Sequence, residues 1–168
     1  MTSPFQISVR DLINKPGTMR RVDFEVDLPD SLSNSVVEVP AGTHLEFELR
    51  LESVYEGILA TGGADTRAVG ECSRCLDPIE VEVKVDFVEL FAYSLTNEDD
   101  LVVEDEKIDL EQVIRDEVVP NLPSQPLCKE DCLGLCVECG EKLSNDPNHK
   151  HESAVDPRWN ALKNFEKE

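Results

Sequence analysis

The chain has 168 residues, and 36 aspartates and glutamates against 16 lysines and arginines give a formal net charge of −20. A surface this acidic repels nucleic-acid phosphate and anionic lipid over most of its extent and favours basic partners. No apolar run reaches the roughly 20 residues of a membrane span, and the N-terminus MTSPFQISVRDL lacks a basic stretch followed by an apolar one. With no such leader, the six cysteines point to a reducing cytoplasm and to metal ligation in preference to disulfides.

Phe5, Ile7 and Val9 alternate with Gln6, Ser8 and Arg10, the period of a half-buried strand, and Asn14-Lys15-Pro16-Gly17 reads as a turn. Arg10, Lys15, Arg20 and Arg21 form the only locally basic segment, either a solvated loop or a contact for RNA or an acidic partner. Val22, Phe24, Val26 and Leu28 alternate with acids, and a short strand over Val36–Val39 closes at Pro40-Ala41-Gly42. Leu45, Phe47, Leu49 and Leu51 predict a further strand, with apolar character continuing from Val54 to Leu59. Gly62-Gly63-Ala64-Asp65 reads as a hairpin turn with a return strand over 66–71. Ile79, Val81, Val83, Val85 and Phe87 give the most regular alternation, which shifts at Val88 and predicts a bulge there.

The acidic stretch EDDLVVEDEK within 96–108 reads as a linker between a β domain (1–95) and a C-terminal unit (109–168). Asp109 with Gln112 resembles a capping box, and Leu110, Val113, Ile114 and Val118 recur at helical spacing up to about Val119, where Pro120 should stop the helix. Trp159, Leu162 and Phe165 share a face and predict a final helix starting near Asp156-Pro157. The fold class is α+β: an antiparallel sheet with barrel-like closure as an option, one or two helices, and a C-terminal cysteine-rich zinc module.

Cys128, Cys132, Cys136 and Cys139 follow Cys-x3-Cys-x3-Cys-x2-Cys spacing, with Gly134 and Gly140 in the loop. Four thiolates within so short a loop suit a tetrahedral zinc, and four protein ligands leave no open position for a reacting water. A local site of these four is the preferred reading. The alternative is a shared site in which Cys72 and Cys75 join two of the later four and staple the sheet to the tail; spacing alone does not decide between them. An iron–sulfur cluster is a minor option, and His149 and His151 are possible ligands read here as exposed loop residues. Redox use of Cys72 and Cys75 needs a lowered thiol pKa, usually from a helix N-terminus, whereas these two lie between strands with acidic neighbours. The three histidines form no triad or metalloprotease pattern and no phosphate-binding glycine loop is present, so nothing points to an enzyme or a small-molecule substrate.

The segments ECSRCLDPIE, IDL…IRDEVVPNLP, LCKEDCLGLCVECGEKL and DPRWNALKNF, spread over 66–168, together resemble the bacterial YceD-like family. One small departure is Ser144 between Leu143 and Asn145, in the turn that closes the cysteine loop. The family is described as metal-binding, with nucleic-acid binding suggested, and is linked to accumulation of large-subunit ribosomal RNA. The resemblance implies a non-enzymatic, cytoplasmic role in ribosome assembly. Partners would be a basic ribosomal protein on the acidic faces, or ribosomal RNA at a local patch of Arg10, Lys15, Arg20, Arg21 and Arg74. The competing readings are a thiol-redox protein using Cys72 and Cys75, and a structural adaptor with no ribosomal connection.

Overall fold

The structure, a computed structural model, describes residues 3–94, 101–146, 148–151 and 158. Eight strands and one helix follow in order: β1 (Gln6–Ser8), β2 (Met19–Asp27), β3 (Leu32–Ser33), β4 (Val37–Val39), β5 (His44–Ser53), β6 (Gly57–Glu71), β7 (Pro78–Ala92), β8 (Lys107–Asp109) and α1 (Glu111–Asn121). The main sheet is antiparallel and organised around β6. Along one edge β6 pairs first with β5, from Ser53↔Ile58 to Glu46↔Asp65, and then with β4 at Val37↔Gly70. Along the other edge β7 accompanies it throughout, from Glu71↔Pro78 to Gly57↔Ala92, without a break in register. The expected bulge at Val88 is therefore absent: Val88 pairs with Thr61 and simply points to solvent, and the inward alternation resumes at buried Phe91.

The expected hairpin turn at Gly62-Gly63-Ala64-Asp65 is also corrected. The chain reverses earlier, where the Val54 N–H donates to the Gly57 carbonyl, and both glycines lie in mid-strand. A Cβ on Gly62 would stand 2.1 Å from the Glu48 carbonyl oxygen, and one on Gly63 would stand 2.7 Å from that of Val85. Two neighbouring backbones press on β6 here, and only glycine admits them.

On the inward face β6 supplies small residues (Ala60, Gly62, Ala64, Ala68) between the large ones of β5 (Leu45, Phe47, Leu49, Leu51) and β7 (Val83, Val85, Phe87, Phe91). Alternating bulk across the strands lets the side chains of the layer interdigitate. Phe47 stacks on Phe24 at 4.6 Å and meets Phe5 edge-on at 6.2 Å, pairs worth about 0.5–1.5 kcal/mol each beyond their buried area. Helix α1 lays Val113, Ile114 and Val118 on this layer and packs against β7 and β3. Among the described residues no pairing joins β2 to β7, and the sheet is open, not barrel-like.

The segment expected as a linker is structured where it is described. Leu101 and Val103 pack on the core, Val102 bridges to Ala92, and Ile108 is buried within β8, which pairs with β1. Ahead of α1, the Asp109 carboxylate accepts the Glu111 N–H at 3.0 Å, while Gln112 turns away to Asp116 at 2.8 Å, so no capping box forms. The helix also runs through Pro120 to Asn121, since a proline in the last turn forgoes only one backbone bond. Among the described residues α1 is the one α-helix; the second helix expected around Trp159, Leu162 and Phe165 lies outside them.

Candidate metal centre

The turn between β6 and β7 is a knuckle. The Cys72 N–H donates to the Asp77 carbonyl at 2.8 Å, the Leu76 N–H to the Cys72 carbonyl at 2.9 Å, and Leu76 takes φ 60°. The same backbone arrangement recurs after the helix: the Cys136 N–H donates to Glu141 at 2.8 Å, the Gly140 N–H to Cys136 at 2.8 Å, and Gly140 takes φ 75°. In both turns the residue after the second cysteine is left-handed, which aims successive N–H groups inward at sulfur.

Cys128 and Cys132 reach the first knuckle because the chain after α1 is tied to it. Ser73 donates its N–H to Pro126 at 2.8 Å, and the Arg74 guanidinium donates to the carbonyls of Cys132 at 2.9 Å and Glu130 at 3.2 Å. Leu135 donates to the Arg74 carbonyl at 3.1 Å, Gly134 packs directly on Arg74, and Lys142 pairs with Asp77. The sulfurs of Cys72, Cys75, Cys128 and Cys132 consequently all lie within 4.8 Å of one another. Cys72 to Cys132 is 3.9 Å and Cys75 to Cys128 is 3.6 Å. A tetrahedron with metal–sulfur bonds of about 2.3 Å has edges of about 3.8 Å.

The electrostatics have the same sense. Backbone N–H groups of Cys128, Cys75 and Arg74 hold the Cys72 thiol down at about 6. At Cys75 the Asp77 amide favours the thiolate, but burial and the neighbouring Cys72, Cys128 and Cys132 outweigh it and push the thiol up to about 12. Cys128 is likewise raised, first by Cys132. Four sulfurs this close cannot all ionise beside one another; a divalent cation at their centre removes the conflict. The donor set is that of a closed, tetrahedral metal site.

The loop's four cysteines, expected together, are divided. Gly134 takes φ 78° and Leu135 bridges to Lys142, and beyond this reversal Cys136 and Cys139 fall outside the Cys128 and Cys132 group. Cys136 and Cys139 instead gather with His149 and His151, again within 4.8 Å. His149 and His151, expected as exposed loop residues, stand here as ligand candidates, and the sequence signal for them is a His-x-His pair ten residues after Cys139.

The basic residues named as an RNA contact are largely occupied by the protein itself. Arg20 pairs with Asp11 at 2.7 Å, Arg10 with Glu106 at 3.4 Å, Lys15 donates to the Asp11 carbonyl, and Arg74 is held by the cysteine loop. Arg21 stands opposite Arg50 on the solvent face of the sheet. Beyond it that face is mainly acidic: Asp23↔Glu48 and Glu25↔Glu46 are direct cross-strand neighbours beside an open hollow of about 1000 Å³ that Asp65 and Asp86 also line, and Lys84 pairs with Asp65 at 3.2 Å. No helix among the described residues is long and apolar enough to cross a membrane.

Residues 60–166 match the family model described as large ribosomal RNA subunit accumulation protein YceD. An uncharacterised protein of Mycobacterium tuberculosis strain H37Rv is 42% identical over 96% of this chain and 81% of its own length. One from Mycobacterium leprae is 37% identical over 96% and 77%, and the uncharacterised protein YlbN of Bacillus subtilis is 28% identical over 58% and 59%. No solved structure matches. The matched region runs from near the start of β6 through both knuckles, and the chain belongs to the YceD family.

Proposed function

We propose that this chain is a non-enzymatic, cytoplasmic factor that supports ribosomal RNA accumulation by holding a basic ribosomal protein during assembly of the large subunit. The family description supplies the ribosomal context. The observation that carries the partner's chemistry is the acidic solvent face of β2, β5, β6 and β7. Like charges directly opposite across a sheet are destabilising, and Asp23↔Glu48 and Glu25↔Glu46 stand in that arrangement; lysines and arginines of a partner would neutralise them. The candidate RNA patch argues less strongly, because Arg10, Arg20 and Arg74 already have acceptors within the chain. In this reading Cys72, Cys75, Cys128 and Cys132 hold one structural zinc that fastens the post-helix loop to the sheet.

Glu46→Lys with Glu48→Lys tests the partner. Purified large-subunit proteins should bind the natural chain with an affinity that falls as salt rises and should lose that binding in the variant. Binding of naked ribosomal RNA that is unaffected by the variant would overturn the reading in favour of direct RNA contact. The redox alternative has the low pKa of Cys72 on its side. It predicts that Cys72 in the metal-loaded protein reacts with iodoacetamide, whereas the structural role predicts protection until a chelator is added.

A further inference from the structure

We propose that Cys136, Cys139, His149 and His151 bind a second divalent ion of the zinc class, in a site separate from the Cys72 group. Its first support is distance. His149 Nε2 is 2.8 Å from His151 Nε2 and 3.1 Å from Cys139 Sγ, and His151 Nε2 is 3.2 Å from the same sulfur. A tetrahedral zinc with two nitrogens and two sulfurs has N–N and N–S edges of about 3.3 and 3.6 Å, so the group needs to open by about half an ångström around an ion.

The second support is orientation. Both rings point Nε2 toward Cys139 and carry Nδ1 on the far side, His151 with Glu138 at 3.6 Å and His149 with Asp146 at 3.9 Å. A carboxylate beyond the far ring nitrogen is a common companion of a metal-bound histidine. The third support is the knuckle. Cys136 to Glu141 repeats, hydrogen bond for hydrogen bond, the Cys72 to Asp77 turn that forms half of the all-cysteine group. The same half-site is thus built twice, and each copy meets a second ligand pair from elsewhere in the chain.

The two sites differ in character. The first has four sulfurs, two of them buried; the second has two sulfurs and two imidazoles, with Cys139 and His151 exposed. The second ion is therefore the more exchangeable one, and a mild chelator removes it first.

The test is cobalt(II) titration of the full chain, with metal content measured independently. The natural chain should take two equivalents. His149→Ala with His151→Ala should take one and keep most of the sulfur-to-cobalt charge-transfer absorption, because four thiolates serve the first ion and two the second. Cys72→Ser with Cys75→Ser should lose the other equivalent, so the two sites fail independently. Glu138→Gln should weaken only the second ion, by about 10- to 100-fold. Circular dichroism and retention of the first ion show that the histidine variant is folded. One equivalent in the natural chain, or two in the histidine variant, would overturn the proposal.

Discussion

Replacing Cys128 by serine isolates the contribution of the first metal group to the architecture. Cys128 is exposed, so the change leaves no cavity and acts only through ligation. Beyond Leu122 the described chain adds no side chain to the hydrophobic core. The loop is held by a few hydrogen bonds to Ser73 and Arg74, one ion pair at Asp77, and the sulfurs. A structural zinc contributes about 10–16 kcal/mol of apparent binding free energy in small zinc modules. A quarter share per ligand is about 2.5–4 kcal/mol, or about 100- to 1000-fold in affinity. Competition against a chromophoric chelator should show that loss for the tighter ion. Amide exchange should speed up at Ser73 and Leu135 and stay unchanged in β5 and β6, which rest on the apolar core. Unchanged affinity, or exchange that accelerates throughout the sheet, would refute the reasoning.

The two glycines of the loop should differ. Gly140→Ala meets nothing within 4 Å and suffers only its left-handed backbone, about 1 kcal/mol, whereas Gly134→Ala adds a Cβ 3.0 Å from the Arg74 carbonyl. Metal affinity and thermal midpoint should both fall further for Gly134→Ala. Leu76, exposed and at φ 60°, is the converse case: Leu76→Gly removes the left-handed cost and should stabilise the metal-loaded protein by up to about 1 kcal/mol, read as a higher urea midpoint. Asp65 holds the Lys84 ammonium above its ordinary 10.5, helped by Glu82 and Glu46. Because the folded value is raised, this stabilisation is complete below 10.5 and is lost as pH rises through the folded value. The difference in urea midpoint between the natural chain and Lys84→Met should therefore be level near neutrality and shrink under alkaline conditions.

The long strands were legible because residue type alternates with little interruption: Leu45 to Leu51 and Val83 to Phe87 are buried on one side just as the pattern demands. The Gly62-Gly63 pair was not, because adjacent glycines before an aspartate look alike whether the chain reverses or two backbones crowd a strand. The described part of the linker was misjudged for a related reason. Leu101, Val103 and Ile108 are diluted among acids, and net charge masks three apolar side chains that reach the core. Barrel or open sheet turns on whether two edges meet, which alternation within single strands does not encode. For the cysteines, spacing gives reach but not direction. Gly134 sends the loop backwards, and with it the choice of which sulfurs share a centre.

The two ligand groups close rings of very different size. Cys75 and Cys128 are 53 residues apart, Cys139 and His149 only 10. Ring closure costs about 1.5RT ln n, so the longer circuit is dearer by about 1.5 kcal/mol before any sheet has formed. When the complete chain refolds from denaturant, the short ring can shut with no help from the rest of the molecule. The long ring waits for β6 and β7 to be zipped and for α1 to be laid down. Its ion would then be captured last, and its capture marks a chain whose two ends of the architecture have found each other.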